Sequence, residues 1–187
     1  FSRVKYRDLG DFTIQPYEFT PRRRGSEVSL ALRRQGKVDG FPVKVEKMVS
    51  LCARQSIVNI TYEVVNLSRE EVALRFGSEF NFSLLAGSSP DRYFEIEGVK
   101  PENPFLSGFG SLENVKTVKI VDEWKGFSVS LQADKPAFLW RFPVETVSQS
   151  ESGFEKIYQS SVVFPNWKFT LGPGEKWSTG ITLRIEE

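Results

Sequence analysis

Apolar side chains recur at every second position along most of this chain. Val28, Leu30 and Leu32 alternate with Ser29, Ala31 and Arg33, and Val58, Ile60, Tyr62 and Val64 with Asn59, Thr61 and Glu63. One parity runs through Val72, Leu74 and Phe76 to Phe80, Phe82 and Leu84. The pattern returns at Phe127, Val129 and Leu131, at Phe138, Trp140 and Phe142, and at Trp167, Phe169 and Leu171. It closes the chain at Trp177, Ile181, Leu183 and Ile185. Successive residues of a strand face opposite ways, so each run gives a strand with one apolar face. No segment carries an apolar stripe at helical spacing. Turn formers separate the runs: Gly36 with Asp39-Gly40, Gly87-Ser88-Ser89-Pro90, Lys125-Gly126 and Gly172-Pro173-Gly174. These features predict an all-β fold: a large twisted antiparallel β-sandwich with little or no helix, built by residues 1–187 as one domain.

Local readings refine this. A long strand is expected from about Glu71 to Leu85, with Gly77 as a bulge or bend inside it. Ser68-Arg69-Glu70-Glu71 has the form of a helix-capping box, but alternation resumes at Val72, so residues 66–71 read as a hairpin loop. The stretch 101–114, rich in Pro and Gly, reads as irregular. The polar run that follows Trp140-Arg141-Phe142, from Glu145 to Gln159, reads either as an ordered loop whose hydroxyls satisfy their own backbone or as a polar surface for sugar hydroxyls or a neighbouring domain.

The chain can fill the interior this pattern demands: 40% of its residues are hydrophobic, and 16 Phe, 5 Tyr and 4 Trp supply more apolar area than a solvated coil carries. Basic and acidic residues number 25 and 24, so the cationic surplus of nucleic-acid binders is missing and no nucleic-acid partner is expected. Arg22-Arg23-Arg24 is the one strongly basic spot, a solvated loop or a domain-docking patch. No apolar run approaches the ~18 residues of a spanning helix, and no membrane partner is expected. The single cysteine, Cys52, excludes an internal disulfide, reads as a small buried filler and fits a cytoplasmic, reducing location. The first residue is Phe1 and the one methionine is Met48, which suggests a processed chain or an excised piece.

The sequence contains no histidine. A Ser–His–Asp triad, a Cys–His pair and histidine-based metal sites are therefore impossible within it, and no metal or cofactor is expected. Paired carboxylates could still cleave a glycosidic bond, with Glu79, Asp122, Glu123, Glu145, Glu151 and Glu155 as candidates. Nothing in the spacing brings any two of them to one cleft. A sugar's C–H face stacks well on an exposed indole. Trp124 lies in the polar, turn-like Asp122-Glu123-Trp124-Lys125-Gly126 and is expected to be exposed, whereas Trp140, Trp167 and Trp177 lie in apolar alternation and read as core. The carbohydrate-contact candidates are Trp124, Glu79, Asn81, Arg141, Glu145 and Glu151. If Glu79 is buried it needs a cation, Arg141 or Arg75, and such a pair is expected.

Several segments together resemble a known domain. Residues 138–155, followed by Tyr158-Gln159-Ser160, are similar to the C-terminal domain of the α-amylases and 4-α-glucanotransferases of glycoside hydrolase family 57. So are Phe76-Gly77-Ser78-Glu79-Phe80-Asn81-Phe82, Phe164-Pro165-Asn166-Trp167, Leu171-Gly172-Pro173-Gly174-Glu175, and Leu9-Gly10-Asp11-Phe12 with Pro16-Tyr17-Glu18. The resemblance implies a β-supersandwich related in fold to galactose mutarotases, with the catalytic nucleophile and acid on an N-terminal barrel. No catalytic residue carries over to this chain, and the histidines that mutarotases use are missing. The implied role is a non-catalytic accessory domain whose partners are the catalytic domain of the same parent chain, docked through groups such as Arg22, Arg23 and Arg24, and α-glucan. The alternatives are a free-standing carbohydrate-binding or adhesion sandwich, and a self-contained enzyme that uses carboxylates.

Overall fold

The computed structural model describes residues 8–150 and 153–187. Among them lie eleven strands and no helix, the outcome expected from period-two alternation. The strands are β1 (Glu18–Arg24), β2 (Glu27–Val38), β3 (Phe41–Cys52), β4 (Ile57–Asn66), β5 (Val72–Gly77), β6 (Phe80–Phe82), β7 (Arg92–Ile96), β8 (Gly110–Asp122), β9 (Phe127–Ser150), β10 (Gly153–Leu171) and β11 (Lys176–Glu186). They fall into two compact units. One holds the described residues up to Arg75 with Ala133–Lys135 and Lys168–Arg184, and the other holds Phe76–Gln132, Pro136–Trp167 and Ile185–Glu187. Both β9 and β10 contribute residues to each.

The first unit is an antiparallel succession β1-β2-β3-β4-β11. The register carries one apolar face across it: Val45 pairs with Val64, Val49 with Ile60, and Ile60 with Ile181. Val43, Val45, Ile60, Tyr62, Val64 and Ile181 are buried on that face. Residues 66–71 form a loop but not the expected hairpin, because β4 pairs with β3 and β11 whereas β5 pairs with β10; the loop's organiser is Asn66, fully buried. Its amide nitrogen donates to the carbonyls of Glu70 at 2.7 Å, Leu171 at 2.9 Å and Gly172 at 3.1 Å. Its side-chain oxygen accepts from the backbone N–H and hydroxyl of Ser68. One amide thereby ties the β4–β5 loop to the β10–β11 turn, and the helix suggested by the capping-box pattern gives way to these bonds.

The second unit is the succession β6-β10-β9-β8-β7. Its core holds Phe94, Leu106, Ile120, Leu139, Val162 and Val163, each at or below 2% exposure. Four expectations are corrected by the described strands. The single strand from Glu71 to Leu85 is instead β5 and β6, broken at Ser78-Glu79. Gly77 lies against the ring of Phe164, where a Cβ would overlap it, and Ser78 N–H donates to Pro165 O. The chain therefore leaves the ladder where an aromatic ring occupies the space of a side chain. The run from Glu145 to Gln159 is not a loop: its described residues continue β9 and β10 as one hairpin, with Thr146 opposite Ile157 and Gln149 opposite Phe154. Thr, Val and Ile in that run suit a strand better than their polar neighbours suggest. Arg22-Arg23-Arg24 lies in edge strand β1, not in a loop. The irregular segment is shorter than expected, because β8 begins at Gly110.

Replacing Asn66 with Ala leaves the Leu171 and Gly172 carbonyls short of a donor. The expected loss in chemical denaturation is about 2–4 kcal/mol, from several buried hydrogen bonds lost together, whereas the exposed Asn59→Ala changes stability by under ~0.5 kcal/mol.

Candidate functional site: an exposed indole at the β8–β9 turn

The β8–β9 turn is built on Asp122, the last residue of β8, which is 1% exposed. Its carboxylate accepts from Lys125 N–H at 2.9 Å, and its backbone carbonyl accepts from Gly126 N–H. Gly126 takes the left-handed conformation, φ +71°, that closes the turn. The register sets Arg92 on β7 opposite Asp122, and Arg92 Nε donates to Asp122 Oδ2 at 3.3 Å. Arg92 also reaches Asp91 at 3.2 Å. With its charge met by two carboxylates, the guanidinium carbon lies 4.9 Å from the Trp124 ring centroid. The cation holds the indole out from the turn, and the indole remains 64% exposed. In the next row of β7, which faces the other way, Tyr93 OH donates to Glu123 Oε1 at 2.9 Å. That bond to a carboxylate, first among the causes, raises the phenol's pKa above its ordinary 10.0. An exposed aromatic face flanked in sequence by Glu123 and Lys125 can stack on a sugar ring and hydrogen-bond its hydroxyls.

The other candidates do not join Trp124 in one groove. Residues in one cross-strand row share a face. Gly110, Arg141, Val163 and Phe80 form one row, and Phe142, Val162 and Asn81 form the next, so Arg141 and Asn81 face opposite ways. Glu79 and Asn81 are both exposed, and Asn81 Nδ2 donates to Glu79 Oε1 at 2.9 Å. The expectation that a buried Glu79 pairs with Arg141 or Arg75 loses its premise, because Glu79 stays in water where no compensating cation is needed. Glu145 is exposed on the β9–β10 hairpin and meets Lys156 at 3.5 Å. Glu151 lies outside the described residues. Trp167 is buried as expected, and Trp140 and Trp177 are half-buried and stacked on Phe164 and Phe169. Cys52, expected to be buried, is half-buried at the end of β3.

Arg141 is a buried structural group. It is 3% exposed on β9, and its guanidinium donates to the carbonyls of Asn103, Phe105 and Gly108 while lying 5.0 Å from the Phe94 ring centroid. Burial lowers its pKa. It pins the irregular 101–109 segment onto the sheet, with help from Ser161, whose hydroxyl donates to Leu106 O at 2.6 Å. Sequence reasoning missed Arg92 and Tyr93. Their roles depend on the β7–β8 register, and only the Gly87-Ser88-Ser89-Pro90 turn signal hinted at where β7 starts.

Comparison with known proteins fits this geometry to a family. Residues 1–181 match the family model described as "Alpha-amylase/4-alpha-glucanotransferase, C-terminal". The chain belongs to that family. Among curated relatives, Alpha-amylase 1 of Dictyoglomus thermophilum is 40% identical over 71% of this chain and 18% of its own length. The 4-alpha-glucanotransferase of Thermococcus kodakarensis is 30% identical over 86% of this chain and 21% of its own. The chain thus spans about a fifth of the curated relatives it matches. Among solved structures, the 4-alpha-glucanotransferase of Thermococcus litoralis superposes with a TM-score of 0.70 and 26% identity, over 97% of this chain and 24% of that one. A putative aldose 1-epimerase of Escherichia coli gives 0.69 at 15% identity over 90% of this chain and 68% of that one, a likeness of fold alone. The C-terminal-domain resemblance and the all-β supersandwich expected from the sequence are both borne out.

Two outcomes follow for this family member. Arg141→Ala strips the 101–109 segment of its anchor. The expected cost is about 3 kcal/mol, the scale for a buried multiply bonded cation, with faster amide exchange at Ser107 and Gly108 than in the parent protein. For Tyr93 the raised pKa means the fold favours the neutral phenol. Its contribution is intact below pH 10.0 and is lost as pH rises through the raised value. A pH titration of the Tyr93 Cζ NMR resonance shows this, and Glu123→Gln brings the midpoint back toward the ordinary value.

Proposed function

We propose that this chain is a non-catalytic accessory domain of an α-glucan-active hydrolase or glucanotransferase, and that it steadies the catalytic part and touches α-glucan through Trp124. The observation that carries the reading is the match to the family's C-terminal model over residues 1–181, while the same chain spans only 18–21% of relatives named α-amylase and 4-α-glucanotransferase. Two features support it. The chain contains no histidine, and four of the six carboxylates weighed for glycosidase chemistry are engaged with neighbours: Glu79 with Asn81, Glu145 with Lys156, Asp122 with Arg92 and Glu123 with Tyr93. The large apolar faces suit docking, and the exposed indole suits weak contact with a sugar.

Affinity electrophoresis with and without soluble starch tests the glucan contact. The expected result is retardation of the native chain, with Trp124→Ala raising the dissociation constant about tenfold, a loss of ~1.4 kcal/mol. Equal mobility in both gels overturns this part. Turnover of labelled maltooligosaccharide by the 187-residue chain alone, abolished by Glu79→Gln, would overturn the non-catalytic part.

A further inference from the structure

The Trp124 indole is free on one side only. Arg92 is buried and held by Asp91 and Asp122, and its guanidinium carbon lies 4.9 Å from the ring centroid, so it occupies one face of the ring. The ring is nevertheless 64% exposed, which puts its open area on the opposite face and along its edge. The backbone beneath it is convex. Glu123, Trp124, Lys125 and Gly126 are four consecutive exposed residues at the crest of the β8–β9 turn, which closes where Gly126 N–H meets Asp122 O. The crest is fixed to β7, because Glu123 N–H donates to Asp91 O at 2.9 Å. The Glu123 side chain is drawn off to Tyr93, in a row of β7 that faces the other way. The turn therefore offers a flat plate on a crest, not a cleft.

That shape decides which part of a glucan the plate can take. A site that selects a chain end encloses the terminal unit, and enclosure needs concave walls that bury most of the ligand. A plate on a crest covers one face of one pyranose ring and leaves both glycosidic oxygens in water, so the chain can run off in either direction. The guanidinium behind the indole keeps a second sugar from the reverse face and holds the ring at one tilt. Resting on the glucan-contact reading above, we propose that Trp124 takes internal glucosyl units of an α-glucan and reads no chain end. The ligand class is the long polymer, whose internal units far outnumber its two ends. One unit on one plate binds with an affinity on the order of millimolar or weaker. Longer chains bind more tightly because they offer more equivalent landing places, not because they make new contacts.

The indole N–H resonance of Trp124, assigned by its loss in Trp124→Phe, reports the contact in an NMR titration of the 187-residue chain. The ligands are maltose, maltoheptaose, and a maltoheptaose capped at both ends, by a 4,6-O-ethylidene group at the non-reducing end and by reduction to the alditol at the other. The expected result is movement of the Trp124 resonance with all three. The free and capped heptaoses bind within about twofold of each other, and maltose binds about three- to fourfold more weakly than maltoheptaose, in the ratio of the units presented. Movement with the free sugars but not with the capped one overturns the proposal in favour of end recognition, while the glucan contact at Trp124 stands. Equal dissociation constants for maltose and maltoheptaose have the same consequence. Movement with none of the three, or movement confined to another indole, removes the glucan contact at Trp124 and this proposal with it.

Discussion

The ladder between β9 and β10 carries the second unit. It runs from Phe138 opposite Asn166 out to Ser150 opposite Gly153, and its outer edges accept β8 on one side and β6 on the other. Its register decides what each neighbour meets. Arg141 falls on the face beneath the 101–109 segment, and Trp140 and Phe164 fall on the reverse, stacked at 5.7 Å. One irregularity interrupts it, between Tyr158 and Ser160. There Tyr158 lays its ring against Gly87, where any side chain would collide, and its hydroxyl lies 2.7 Å from Ser161 Oγ. The extra residue re-aims one aromatic so that a loop can close over the strand.

Two buried polar groups do the work that regular pairing cannot. Irregular segments expose carbonyls with no ladder partner, and a buried carbonyl without a donor is costly. Arg141 offers several donors in a fixed fork and meets the carbonyls of the 101–109 segment. Asn66 does the same for the turns around Leu171 and Glu70. Their chemistry differs for a reason. A neutral amide can be buried outright, and Asn66 is at 0% exposure. Arg141 carries a charge that only dipoles and the Phe94 ring face offset in the described contacts, and its lowered pKa records that desolvation. Arg92, by contrast, has carboxylates at hand and can spend its flat face on Trp124.

The parts legible in the sequence were those set by strand period and turn chemistry. Val58 to Val64, Val72 to Leu74 and the Gly172-Pro173-Gly174 turn carry their own instructions, and the exposed Trp124 was readable from its polar neighbours. What escaped was everything that depends on register. Arg92 and Asp122 are thirty residues apart, and no local rule makes them partners. Arg141 stands between Trp140 and Phe142 in an aromatic strand and resembles a groove-lining cation, because composition does not reveal a loop folding back over it. The Glu145–Gln159 run misled for a related reason: hydroxyl and amide side chains are common in loops, yet a hairpin with both neighbours on one long ladder tolerates them when they face water. Family resemblance supplied the fold because it integrates over the whole chain, but it said nothing about which polar residues meet.

The distribution of finished and unfinished surface links these points to a role. Trp140, Trp167 and Trp177 are stacked or buried, so the chain does not lack means to cover its aromatics. Trp124 and Phe19 stay exposed by different devices: a cation behind the ring at the β8–β9 turn, and a bare sheet face at β1. The first is an indole face backed by a guanidinium, and the second is a sheet face whose apolar side chains stay in water. Arg92 and Asp122 are committed to holding a turn and Arg141 to holding a loop, so these charges serve the fold and leave the exposed aromatics untouched.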